Sequence, residues 1–217
     1  MKMTRLAWIK VTCATALSIT AFSSAIAQPA ELRVGLIPSE DAQAMIRASQ
    51  QIMDQLAEKS GMKVRPFVAN DYNGVIEALR SGKLDIAYLG PFSYVLASEV
   101  ANAEAFAVAV TKKTGTSSYQ SLLITRKDSG LDSVAKLKGK TFSFVDPSSA
   151  SGHLFPKAGL LAEGYDPDLY FSRVIFSGSH DANIMAVANG KVDAAAVADR
   201  IFDSAVSKGL VKREDFQ

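Results

Sequence analysis

Thr141-Phe142-Ser143-Phe144-Val145 leads into Asp146-Pro147-Ser148-Ser149-Ala150-Ser151-Gly152-His153-Leu154-Phe155-Pro156, after which Lys157–Glu163 reads as a helix. An apolar strand therefore meets a helix across a polar junction. The first amides of a helix lack intrahelical partners and carry about half a positive charge, so such a junction can hold a small oxyanion through backbone N–H groups. Three serines add hydroxyl donors, and Gly152 admits close approach of the backbone. The same residues also suit an ordinary Ser-capped βα loop. The rest of the chain has to separate the two readings.

Outward in both directions, short apolar runs alternate with helical patterns. Downstream come Val174–Phe176, the polar junction Ser177-Gly178-Ser179-His180-Asp181-Ala182-Asn183, a helix over Ala182–Asn189, the strand Val192–Val197 and a helix over Arg200–Lys208. Upstream, Tyr119–Thr125 and a short helix near Ser133–Leu137 begin this series, and the polar stretch Thr111–Ser118 precedes it. A first series lies before that stretch: strand Leu32–Ile37 ended by Pro38, helix Ala42–Lys59, Lys63–Val68, helix Asn73–Arg80, Leu84–Leu89, helix Phe92–Val100 and a strand over Ala105–Val110. Alternation of this kind predicts α/β architecture with parallel-rich sheets flanked by helices. Two such series joined by a crossing at Thr111–Ser118 predict two lobes with a ligand cleft between them, lined by loops beyond the carboxyl ends of the strands.

Met1–Ala27 has the form of a secretory signal: Lys2, Arg5 and Lys10 precede the apolar Val11–Phe22, and Ala25-Ile26-Ala27 is a small-x-small cleavage site. The apolar stretch is short for a membrane span. Removing 27 of the 217 residues leaves 190, and takes the balance from 24 basic against 22 acidic to 21 against 22. A near-neutral chain with 48% apolar and 21% charged residues gives no electrostatic pointer to nucleic acid. Cys13, the only cysteine, lies in the signal and outside a lipobox-like context, so the mature chain has no disulfide, thiolate metal site or cysteine nucleophile.

Among the loops, Asn70-Asp71-Tyr72-Asn73-Gly74 places Tyr72 beside the candidate caps Asp71 and Asn73, and the second polar junction places His180 in a first helical turn, where a ring N–H can meet an anion. On those residues the chain resembles the phosphonate- and phosphite-binding proteins of bacterial ABC importers, which are type II periplasmic binding proteins. The resemblance covers Leu32 to about Asp203. It rests on Asp71-Tyr72-Asn73-Gly74, on Leu84–Pro91, on Asp146–Pro156, on Gly178–Asn183 and on Val187–Asp193.

The resemblance implies a periplasmic receptor that takes a small phosphorus oxyanion to an inner-membrane ABC permease, works as a monomer and uses no cofactor, metal or catalytic residue. Carried over residue by residue, it implies that Tyr72 and Tyr119 contact the oxyanion, that Ser149 and Ser151 cradle it, and that His180 donates from the opposite junction. Ala150 replaces a threonine common in the family. Asp199-Arg200 stands where some members place a carboxylate for a ligand amine: with Arg200 in the cleft the site favours a compact anion, and with Arg200 turned outward Asp199 can pair an amine. The expected division is 28–113 for the first lobe, 114–200 for the second and 201–217 for a second crossing and the start of the return to the first lobe, with the family's C-terminal return segment missing. Two other readings are a receptor or sensor lobe for a sulfonate or carboxylate, and a hydrolase using Ser149 or Ser151 with His153 or His180. The hydrolase lacks a Gly-x-Ser-x-Gly elbow.

Overall fold

A computed structural model describes residues 31–111 and 114–217, so the stretch expected to be a secretory signal, with Cys13, lies outside the described residues. The first lobe holds β1 (Glu31–Leu36), α1 (Ala42–Ser60), β2 (Lys63–Val68), α2 (Tyr72–Arg80), β3 (Ile86–Tyr88) and α3 (Pro91–Ala101). Its sheet is parallel in the order β2-β1-β3. Central β1 buries Val34 and Leu36 against Met53 of α1, with Met45 and Leu56 packed alongside. Asp41 and Asp71 cap α1 and α2, accepting from Ala44 N at 2.8 Å and Gly74 N at 2.6 Å.

The second lobe holds β4 (Ser121–Thr125), β5 (Thr141–Phe144), α4 (Phe155–Ala162), α5 (Pro167–Tyr170), β6 (Arg173–Phe176), α6 (His180–Ala188), β7 (Ala194–Ala198) and α7 (Asp199–Ser207). Its sheet order is β4-β7-β5-β6. The all-buried Ala-Ala-Ala-Val-Ala of β7 has neighbours on both faces. Ala195 and Val197 pack with Ile184, Val187, Ile201 and Phe202, while Ala194 and Ala196 pack with Phe142, Phe144 and Leu160. Small side chains let helices approach both faces of this strand.

The sheets are parallel-rich as expected, with β4 the exception, running antiparallel to β7 from Ser121↔Ala198 to Thr125↔Ala194. Two sequence expectations change. Ala105–Val110 forms no strand: no described strand lies beside it, and Phe106 is 76% exposed. A β-branched run without a neighbour has no ladder to join. Finally, residues 201–217, expected to form the second crossing, pack on the second lobe. Ile201, Phe202, Ala205 and Phe216 share one core with β4, α6 and β7, and Thr125 and Gln217 exchange backbone hydrogen bonds.

The lobes meet at an apolar seam. Val145, directly after β5, is buried with Ile37, Ala69, Tyr72, Val75 and Leu84 of the first lobe. Among the described residues no helix is long and apolar enough to cross a membrane.

Candidate functional site

The seam sets the site at the end of β5. Ser149 caps the turn that follows, accepting from Gly152 N at 3.0 Å, and Ala150–Leu154 winds as a π-helical turn before α4. A π-helical turn of this kind is frequent at functional sites. Its tightness depends on Gly152, because a Cβ there would collide with the Val145 side chain. Ser149 and Ser151 are both buried, and the Ser121 hydroxyl pins the turn by donating to Ser151 O at 2.6 Å.

Asp146 braces the same loop from beneath. Its Oδ1 accepts from Ser148 N at 2.7 Å and its Oδ2 from Tyr72 N, across the seam, at 3.3 Å. Burial pushes the Asp146 carboxyl above the usual carboxylate range, and the two amides oppose that rise.

The second junction positions His180. Gly178, at φ 90, turns the chain after β6, and Ser179 caps α6 by accepting from Ala182 N at 3.1 Å. His180 is 3% exposed, and its Nδ1 lies 3.0 Å from the backbone N of Ala198. A backbone N–H can only donate, so Nδ1 carries the lone pair and Nε2 carries the proton. Burial, reinforced by the Arg200 charge, drives the ring's pKa down to about 3, which keeps the imidazole neutral at physiological pH. His180 is therefore a fixed Nε2–H donor.

Tyr72 is 2% exposed. Burial raises its hydroxyl well above the ordinary tyrosine value, while a hydrogen bond with Ser149 and the Arg200 charge act in the other direction. Arg200 therefore lies close enough to act on both Tyr72 and His180. Its guanidinium sits 5.1 Å over the Tyr119 ring, a cation–π contact that fixes its direction. Asp199 is engaged elsewhere, accepting from Arg200 N at 2.7 Å through Oδ1.

The structure thus links Tyr72, Tyr119, Ser149, His180 and Arg200 into one cluster, with Ser151 buried on the adjoining turn. His153 is apart from it: Nδ1 contacts Pro147 O at 2.9 Å and the ring packs edge-on to Phe144 and Phe176. Asn183 escaped the sequence reading. Fully buried, it accepts the Ser143 hydroxyl at 2.5 Å and donates to Ser143 O at 3.1 Å and Ala196 O at 2.8 Å, which locks α6 to β5 and β7. Its position on the apolar face of α6, beside Ile184 and Val187, was the available signal. No group of three or more His, Cys, Asp or Glu residues suited to a metal occurs among the described residues.

A cluster of amides, hydroxyls, a neutral imidazole and a guanidinium is built to receive negative charge. A sequence model described as the ABC transporter, phosphonate, periplasmic substrate-binding protein matches residues 34–217. The chain belongs to this family. Over 197 residues it is 32% identical to the phosphate-import protein PhnD of Mycolicibacterium smegmatis, covering 87% of this chain and 60% of that protein. Over 172 residues it is 37% identical to the phosphonates-binding periplasmic protein of Escherichia coli, covering 77% and 50% respectively. The chain thus spans one half to about three fifths of these family members. The crystal structure of a binding protein component of an ABC phosphonate transporter from Pseudomonas aeruginosa superposes with a TM-score of 0.81 at 32% identity, over 86% of this chain and 63% of that one. The two-lobed type II periplasmic binding protein architecture expected from sequence is the one observed.

Proposed function

We propose that the chain is a periplasmic receptor that closes on a small phosphorus oxyanion, phosphite, phosphonate or phosphate-like, and delivers it as a monomer to an ABC permease of the inner membrane. The observation that carries this reading is the cluster at the seam: buried Tyr72 from the first lobe lies by Ser149, and half-buried Arg200 of the second lobe lies near both Tyr72 and the buried His180. Ligand contacts to both lobes favour the closed state; the expected crossing at 111–118 lies partly outside the described residues. The two relatives named for phosphate import and phosphonate binding support the ligand class. Export under the signal sequence, with cleavage after Ala27, places the receptor in the periplasm.

The site binds without reacting. Catalysis by Ser149 or Ser151 needs a base to take the hydroxyl proton, and His180 has Nε2 already protonated and Nδ1 held by Ala198 N. His153 is turned to Pro147 O. Arg200, held over Tyr119, selects for a compact anion, because its charge repels the ammonium of an aminoalkylphosphonate.

A thermal-shift screen of the mature chain against phosphite, methylphosphonate, phosphate, 2-aminoethylphosphonate and sulfate tests the reading. A ligand at a hundred times its Kd stabilises the native state by about 2.7 kcal/mol, so at least one compact phosphorus anion should raise the midpoint clearly above sulfate. An equal or larger response to sulfate assigns the site to another anion and refutes the proposal.

A further inference from the structure

Beside the anion site the two lobes grip one another directly, and three of these polar contacts fall on residues 39–41. The Asp181 carboxylate accepts from Asp41 N at 2.9 Å, the His180 amide donates to Ser39 O at 3.0 Å, and Lys208 Nζ lies 3.3 Å from Glu40 Oε2. Asp41 is the N-cap of α1, so its amide lies outside the helix ladder and a carboxylate placed there also meets the positive end of the helix dipole. Asp146 makes the same kind of contact at the other side of the seam, reaching Tyr72 N at the start of α2. Two second-lobe carboxylates thus rest on the N-termini of two first-lobe helices.

We propose that Asp181, assisted by the Lys208–Glu40 pair, is a closure latch: a positioning residue that holds the lobes together without touching the ligand. His180 and Asp181 are consecutive on α6. The ring of the first belongs to the anion site and is already fixed within the second lobe by Ala198 N, while its amide and the next carboxylate hold the opposite lobe, so closing the latch brings the first lobe up to that ring. Since these contacts need no ligand, part of the population is closed before ligand arrives. The apparent affinity scales with that closed fraction. The inference deepens the receptor reading above and rests on it for its ligand measurements.

Distances between spin labels report closure. The mature chain lacks cysteine, so Gln55→Cys on exposed α1 and Lys191→Cys on the exposed α6–β7 turn take the labels alone. In the ligand-free state Asp181→Ala should move the distance distribution towards the open form, and adding Lys208→Met should move it further. Asp181→Asn, which keeps a carbonyl acceptor, should fall between. By calorimetry with phosphite and methylphosphonate, Asp181→Ala should raise Kd about three- to tenfold, the range for one cap-like contact of a partly exposed carboxylate. The ligand-free melting temperature should stay within about 2 °C, since the latch holds lobes and not a core. Unchanged distances and Kd in the double variant overturn the proposal, and so does a Kd change matched by a loss of ligand-free stability. If the unmodified protein binds no phosphorus anion, the receptor reading has failed separately, and the ligand-free distances alone decide the latch: a shift supports it, no shift refutes it.

Discussion

The neutral His180 makes acid stability a direct test of the site's electrostatics. In the unfolded chain the ring titrates near its ordinary 6.5, whereas the native ring takes a proton only near about 3, chiefly because it is buried and secondarily because Arg200 is close. Between those values the unfolded state binds the extra proton, so stability is full above the unfolded pKa and falls as pH drops towards the folded one. The slope approaches about 1.4 kcal/mol per pH unit, and lowering the pH from 7.5 to 5 should remove about 2 kcal/mol through this one group. Asp146 acts with the opposite sign in the range just above 3.8, because its raised pKa means the native state holds the proton more tightly. Urea denaturation at several pH values, for the unmodified protein and for His180→Gln, isolates the term, since Asp146 and the other carboxylates contribute to both. The amide oxygen of Gln can still accept from Ala198 N. The variant should lose about 2 kcal/mol less on acidification. Parallel pH profiles would mean that His180 is not held neutral, and the fixed Nε2–H donor would go with it.

Other consequences follow from single residues. Ser149→Ala removes a hydroxyl from the proposed anion site and the cap on Gly152 N, and calorimetry should show a loss of about 1.5–3 kcal/mol in oxyanion affinity. Arg200→Glu should reverse the ligand order, weakening phosphite and methylphosphonate while admitting 2-aminoethylphosphonate in a competition titration; an unchanged order would place Arg200 outside the site. Gly152→Ala drives a methyl into Val145 and should reduce both stability and binding, stability by about 1–3 kcal/mol in denaturant. Asn183→Ala removes three buried hydrogen bonds, leaving the Ser143 hydroxyl only Phe144 O, and should lower stability by about 3 kcal/mol, with less effect on ligand affinity than Ser149→Ala produces.

How far the residues announced this arrangement depends on the range of the force involved. Asp71 and Ser179 act on amides three residues away, so the caps of α2 and α6 and the two polar junctions were legible from local spacing. The direction of β4 was not, because antiparallel pairing with β7 joins residues more than 65 positions apart and its side-chain pattern is the same either way round. Ala105–Val110 has the composition of a strand, but composition cannot supply the neighbour a ladder requires. The π-helical turn at Ala150–Leu154 depends on Gly152 meeting Val145, a tertiary contact that the Ser-rich motif only hints at.

The sharpest case is α6. Its sequence His180-Asp181-Ala182-Asn183 reads locally as a capped helix start, yet the four residues divide four tasks among partners that are far apart in the chain. The His180 ring answers to Ala198 N, Asp181 to Asp41 N, and Asn183 to Ser143 and Ala196, while Ala182 N alone serves the cap at Ser179. Each donor or acceptor sits on a different side of the first helical turn, so a single turn can face an anion site, an opposing lobe and a core at once. Because Asp181 holds the opposing lobe, losing it lowers the closed fraction, which is why a residue outside the proposed anion cluster should be felt in ligand affinity.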